Sequence, residues 1–349
     1  MNKIAVTGAN GFIGAELCRR LEESGTPFLA FLRHGKSLPF EPKMGQIVHI
    51  ESLFDLEKRP EFLKGCTSIV HLAAKVHDFQ TSDETTYNVD NVDLTLSLLE
   101  AAKHAQVGHF VFMSSIKVYG EEQHSPYTVD TMCSPVTPYG KSKLVAEQRA
   151  FQFCISEKIA LDIVRIPLVI GKEAKGNIAI LKKLIGLKIP LPFGAFRKKR
   201  SHVDLDLLID FVQSCIPPLE PQVPKWRLHL VANPLPQSTA ELTKILATDL
   251  RLSVRLFPVP YGFFLALAFL CDFCNRTLRL NIPFGREALK KVSEAMEVVP
   301  ASKDLLNPLA LQQCLTVGVR DGKSACDEDC RNKVSALQPN EANPSRASQ

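Results

Sequence analysis

A short apolar run, Ile4-Ala-Val-Thr7, is cut by Gly8-Ala-Asn-Gly11-Phe-Ile-Gly14, and a helical pattern follows to about Ser24. Glycines at this spacing permit a tight turn between a strand and a helix. They also let backbone amides approach a pyrophosphate at the positive end of that helix. A glycine pattern alone is weak, but strand, turn and helix stand here in the right order and further strands follow. The segment therefore predicts a dinucleotide site, not a merely structural turn.

The rest of the N-terminal half repeats the rhythm. Apolar runs at 27–32, 46–50, 68–72, 109–113 and 160–165 alternate with helical patterns at about 84–106 and 138–157. Continuous apolar strands between helices predict a parallel sheet covered on both faces. The expected class is α/β, a Rossmann-like doubly wound parallel sheet with a smaller, mostly helical substrate-binding cap at the C-terminal side. The expected boundaries are 1–171 for the nucleotide-binding domain, 172–319 for a cap interleaved with the last sheet elements, and 320–349 for a polar disordered tail.

Of 42 Lys and Arg against 37 Asp and Glu, four cations sit together at Arg197, Lys198, Lys199 and Arg200. The remainder is nearly balanced, so no broad basic footprint for nucleic acid is expected. The ten cysteines are scattered, and no metal is expected. Cys271 and Cys274 have half-zinc-site spacing, but their closest possible partners, Cys326 and Cys330, lie far along the chain. No secretory signal opens the chain, and the most apolar run, 261–271, is too short to span a bilayer. A cytoplasmic location with no membrane span is expected.

Two features carry chemistry. After the second strand the chain reads Leu32-Arg33-His34-Gly35-Lys36 with no carboxylate, whereas an NAD site usually carries Asp or Glu there. Arg33 suits a 2′-phosphate, so NADP is favoured and NAD is the alternative, with Arg33 then stacked on adenine. Further on, Tyr139 and Lys143 share a helix face, and Thr137 with Pro138 can open that helix. A cation one turn away, with a positively charged nicotinamide, would lower the phenol pKa from about 10. Ser115, ending the fifth strand, can reach the same substrate oxygen.

Together these motifs resemble the extended short-chain dehydrogenase/reductase family, in its nucleotide-sugar epimerase, dehydratase and reductase branch. His71-Leu-Ala-Ala74, Asn91-Val-x-x-Thr95 and Tyr139-Gly-x-Ser-Lys143-x-x-Ala-Glu147 carry the likeness over residues 1–235. The resemblance implies Ser115, Tyr139 and Lys143 as catalytic residues. It also implies Gly8, Asn10, Gly11, Phe12, Ile13 and Gly14 at the pyrophosphate, and Leu72, Ala73, Ala74 and Asn91 near the cofactor.

Ile116 and Lys117 stand where sugar dehydratases carry Asp-Glu, which disfavours elimination of water. Ser115-Ile-Lys-Val, with the stretch 165–177, is most similar to bacterial reductases of UDP-4-keto-6-deoxy-N-acetylhexosamines that serve surface polysaccharides. UDP-hexose 4-epimerases, with retained NAD, are the near alternative. A sterol-type dehydrogenase and a non-catalytic NADP-sensing module are more distant ones. The resemblance implies a UDP-sugar held by Lys175, Asn177, Phe193 and Arg200, and allows a homodimer. Arg286 is a possible second diphosphate ligand, because the usual closing pattern is not recognisable after Asn281.

Overall fold

The computed structural model describes residues 3–75, 84–121, 123, 125–174, 176–216, 225–278, 285–286, 289, 293 and 295–304. Lys175, Cys326, Cys330 and the expected tail at 320–349 lie outside them.

In chain order the strands are β1 (Lys3–Thr7), β2 (Phe28–Arg33), β3 (Gly45–Ile50), β4 (Cys66–His71), β5 (His109–Ser115) and β6 (Ala160–Ile166), then β7 (Leu168–Ile170), β8 (Lys199–Arg200), β9 (His202–Asp204), β10 (Trp226–Leu230), β11 (Gln237–Ser238) and β12 (Ala301–Asp304). The α-helices are α1 (Phe12–Glu23), α2 (Asp55–Lys58), α3 (Glu84–Tyr87), α4 (Leu94–His104), α5 (Pro138–Ser156), α6 (Asn177–Gly186), α7 (Leu205–Cys215), α8 (Thr239–Asp249) and α9 (Tyr261–Leu278). Eight strands form one sheet in the order β12-β10-β6-β5-β4-β1-β2-β3, parallel except for the antiparallel pair β10–β12.

The central strands β1, β2, β4, β5 and β6 are largely apolar because both faces are covered, and side chains alternate between the two cores with period two. Ala5, Leu29, Phe31, Phe110 and Phe112 enter the core beneath α4 and α5. Ile4, Val6, Ala30, Leu32, Val111 and Met113 enter the opposite core beneath α1 and α7. Each such large side chain contributes about 1.5–3 kcal/mol by leaving water. A smaller cluster of Ile178, Leu181, Ile185, Leu191 and Leu246 packs α6 against α8.

The expected single helix over 84–106 is instead α3, a π-helical segment Asn88–Asp93, and α4. The cause is local. The Thr95 hydroxyl donates to the Asn91 carbonyl at 2.6 Å, while the Asn91 side chain is pulled onto the chain after β4. π-Bulges of this kind recur at functional sites. The apolar run at 261–271 is the first part of a longer helix, α9, which continues to Leu278. β12 was not anticipated, yet it closes the sheet edge beside β10.

One end of the sheet is tied by charge. Asp162 of β6 accepts from His109 Nε2 at 2.8 Å, His229 Nε2 at 2.7 Å and Arg227 Nη2 at 2.8 Å. Ser302 of β12 hydrogen-bonds His229 Nδ1 at 2.8 Å, which joins four strands through one carboxylate. Burial pushes the Asp162 carboxyl up, but these donors outweigh it and hold it well below the usual carboxylate range. Cys215 lies near enough to complete a metal-like trio with Asp162 and His229. The carboxylate is already occupied by three donors.

Candidate active site

β1 and β4 are neighbours, and the chain leaves them toward opposite sides, so the crevice beyond their C-terminal ends is the switch point where doubly wound sheets bind ligands. Gly8 sits there with φ +68°. A Cβ on it would lie 2.7 Å from the Ala73 amide nitrogen and 2.9 Å from the Leu72 carbonyl carbon. Conformation and space both require glycine. Gly14 is needed for another reason: its Cβ would fall 2.8 Å from the Ala9 Cα and overlap the Gly8 carbonyl. Gly11 caps α1 without a side-chain hydrogen bond, so the first-turn amides remain for an anion. A backbone cradle that close, beside a helix N-terminus, fits a dinucleotide pyrophosphate.

A relay of hydrogen bonds fixes the loop after β4. The Asn91 carbonyl accepts the only Thr95 hydroxyl proton, so His71 Nε2 donates to Thr95 Oγ1 at 3.1 Å. His71 Nδ1 then accepts from Thr7 Oγ1 at 2.7 Å, and Thr7 in turn accepts from the Ala73 amide at 3.5 Å. Burial, reinforced by the nearby Lys143 charge, pushes His71 down to about 3, which keeps it neutral as the relay requires. Asn91 also accepts from the Lys75 amide at 2.9 Å, and donates to the Lys75 carbonyl at 3.2 Å and to Ser142 Oγ at 3.0 Å. Asn91 is thus a staple between the β4 loop and α5. The sequence pattern placed it at the cofactor without revealing that task, and Thr7 and Lys75 carried no recognisable signal.

α5 begins as its sequence dictates. Thr137 accepts from the Gly140 amide at 3.1 Å, with Pro138 in the first turn. The next residue, Tyr139, is buried, packs edge-on to Tyr87 at 6.2 Å, and has the Ser115 side chain at the end of β5 as a polar neighbour. Lys143 departs from expectation. Its Nζ donates to the Met113 carbonyl at 2.8 Å and lies 4.5 Å from the centre of the Phe112 ring. Burial, not the cation, therefore governs Tyr139 and pushes its phenol up to about 12, with the neighbouring Ser115 hydroxyl opposing. Burial pushes Lys143 down to about 8.

Behind these groups is an ion pair that sequence motifs signalled only by a glutamate. Glu147 and Arg165 are 0% and 1% exposed, and Arg165 Nε donates to both carboxylate oxygens at 3.0 and 3.2 Å. The Ser114 hydroxyl donates to the same carboxylate.

Other expected residues are more dispersed. Arg33 is exposed at the end of β2. Phe12 lies within 2.8 Å of where a Cβ on Gly171 would stand and packs on the cluster that also holds Phe193 and Ile178. Asn177 opens α6 next to Ile178. Arg200 lies on β8, paired with β11, with a guanidinium nitrogen 3.7 Å from the Met296 sulfur. Arg286 Nε pairs with Asp272 of α9 at 3.0 Å, and its guanidinium covers Phe269.

Residues 4–190 match the model of the NAD dependent epimerase/dehydratase family. The chain belongs to that family. It is 30% identical over 299 residues to a UDP-glucose 4-epimerase of Vibrio cholerae, covering 82% of this chain and 89% of the relative. It is 28% identical over 215 residues to an N-acetyl-α-D-glucosaminyl-diphospho-ditrans,octacis-undecaprenol 4-epimerase of Escherichia coli O157:H7, over 61% of this chain and 62% of that one. Among solved structures, UDP-glucuronic acid 4-epimerase from Bacillus cereus in complex with NAD superposes with a TM-score of 0.60 at 24% identity, covering 73% and 87% of the two chains. Membership makes the chain an NAD-dependent enzyme of the epimerase/dehydratase type. The NADP preference suggested by Arg33 finds no support in the family.

Proposed function

We propose that the protein is a nucleotide-sugar 4-epimerase that keeps NAD bound through the catalytic cycle. The observation that carries this reading is the buried Tyr139 beside Ser115 at the C-terminal end of β5, with no carboxylate at the two positions after Ser115. Ile116 is buried and Lys117 is paired with Glu121 at 2.6 Å, so neither supplies the acid and base that elimination of water needs. Likeness to a UDP-glucose 4-epimerase over most of both chains supports epimerisation over reduction.

A bound NAD would supply reversible hydride transfer at C4 of the sugar. Ser115 Oγ orients the C4 oxygen, and Tyr139 Oη takes its proton on oxidation and gives it back after the ketone has turned its other face. Burial holds Tyr139 near 12; Lys143, one turn along the same helix, is the residue whose positive charge would favour the phenolate if its Nζ turned from the Met113 carbonyl toward the phenol. Gly8, Asn10, Gly11, Phe12, Ile13 and Gly14 would hold the pyrophosphate, and Leu72, Ala73 and Ala74 would lie near the cofactor ribose. Asn177, Phe193 and Arg200 hold the uridine diphosphate of the substrate, Arg200 as a guanidinium suited to bidentate phosphate contact.

The test is to incubate the purified protein with UDP-glucose or UDP-N-acetylglucosamine and follow the C4 epimer by NMR. Appearance of the epimer without net consumption of reduced cofactor supports the proposal. Turnover only with a 4-keto sugar, matched mole for mole by NADPH oxidation, would establish the reductase instead.

A further inference from the structure

α9 buries one side and leaves the other bare. Phe264 and Ala268 pack inward with Phe196 and Leu289. Phe263, Leu267, Leu270 and Phe273 are 62%, 40%, 57% and 64% exposed, at spacings that align them on one face. The helix carries a single acid, Asp272, and Arg286 neutralises it at 3.0 Å. No helix among the described residues is long and apolar enough to cross a membrane, so the stripe is a lateral face.

A second feature is joined to it. A cavity of about 380 Å³ is lined by Lys188, Arg251 and Arg255 with Ile189, Pro190 and Leu252. Among the described residues none of the three cations has an ion-pair partner, and Leu187 and Ile189 beside them are 61% and 51% exposed. Backbone bonds from Leu191 to Arg255 at 2.8 Å, Phe257 to Leu191 at 3.1 Å and Gly194 to Phe257 at 3.1 Å bind the two chain segments into a ribbon. That ribbon runs from the cavity to α9, where Phe196 meets Phe264 at 4.9 Å between ring centres.

We propose that the exposed face of α9 and the Lys188–Arg251–Arg255 cavity form a peripheral docking surface for an anionic phospholipid bilayer. Unpaired cations beside exposed aliphatic and aromatic side chains match a boundary that offers phosphate and hydrocarbon side by side. A second copy of the chain would cover the apolar stripe with the same stripe and provide no anion for the three cations. Phe193 lies on the same ribbon, so docking would place the candidate uridine pocket close to the membrane surface. The inference concerns association and stands apart from the catalytic reading.

The test is flotation of the full-length protein with vesicles of pure phosphatidylcholine and vesicles in which a minority of the lipid is phosphatidylglycerol. The protein should float with the anionic vesicles, and raising the salt should release it. Arg251→Glu with Arg255→Glu should reduce the bound-to-free ratio by about fivefold or more per cation. Phe263→Ser with Leu270→Ser and Phe273→Ser should abolish flotation, with circular dichroism and melting unchanged for both variants. Four results would overturn the proposal: no flotation of the wild type, equal binding to neutral and anionic vesicles, variants that bind like the wild type, or a dimer in sedimentation that the α9 variant dissolves while no vesicle is bound. The last would assign the face to a second copy.

Discussion

Lys143 Nζ donates to the carbonyl oxygen of Met113 at 2.8 Å, two residues before Ser115 on the same strand. The cation thus hangs from the strand that presents the serine, not from the tyrosine one helical turn away. Tyr139→Phe should lower turnover by about 10²–10⁴-fold while NAD affinity stays nearly unchanged, because the group lost only moves a proton. Turnover near that of the wild type, measured alongside a cofactor titration, would remove Tyr139 from the mechanism.

The Lys143 ammonium, pushed down to about 8, should lose its proton within reach of ordinary assays. Its charged form is the one that stabilises a phenolate, so kcat should fall as pH rises through about 8. Lys143→Ala should remove that alkaline limb along with most of the activity and weaken NAD. A pH–rate profile of both proteins checks it.

Arg33 is exposed beside the expected adenosine site. In an NAD enzyme Arg33→Ala should change NAD and NADP affinity by similar, small factors. A selective loss for NADP of about 1.5–3 kcal/mol would show a 2′-phosphate contact after all.

Glu147→Gln should destabilise the fold by about 3–5 kcal/mol, because Arg165 would remain buried without its counter-charge. Urea unfolding reads the loss directly. Replacing both residues with apolar side chains of similar volume should recover much of it.

Asp162 titrates in the folded chain well below its value of about 3.9 in the unfolded chain. The unfolded chain therefore binds more protons as the pH drops. The stabilisation is fully present above about pH 4 and is lost as pH falls toward the folded-state pKa. Asp162→Asn should be less stable at neutral pH and should lose less between pH 5 and pH 3 than the wild type, in denaturant titrations at each pH.

The fold was legible where one face or both of an element must be apolar. The runs at 4–7, 68–72 and 109–113 fall on the buried strands β1, β4 and β5, and Thr137-Pro138 opens α5 as a threonine cap and a proline should. The site was legible where a motif fixes backbone geometry, as at Gly8 and Gly14. It was not legible where partners are distant in sequence. Nothing local in Asn91 announces its bonds to Lys75 and Ser142, and nothing in Glu147 announces Arg165. The chemical environment of Lys143 was also hidden, since spacing on a helix gives a face but not the acceptor that a flexible side chain will choose. β12 escaped because four residues of a short edge strand carry little periodicity.

The late arrival of β12 has a consequence for synthesis. During translation β6 and β10 emerge with the outer edge of β10 unpaired, and the residues that cover it follow only after α8 and α9 have left the ribosome. An open edge of that kind is a template for pairing with another nascent chain. Arg227 and His229 place polar groups on β10 during this interval, which should keep a stalled or truncated product from recruiting its neighbours on the same messenger.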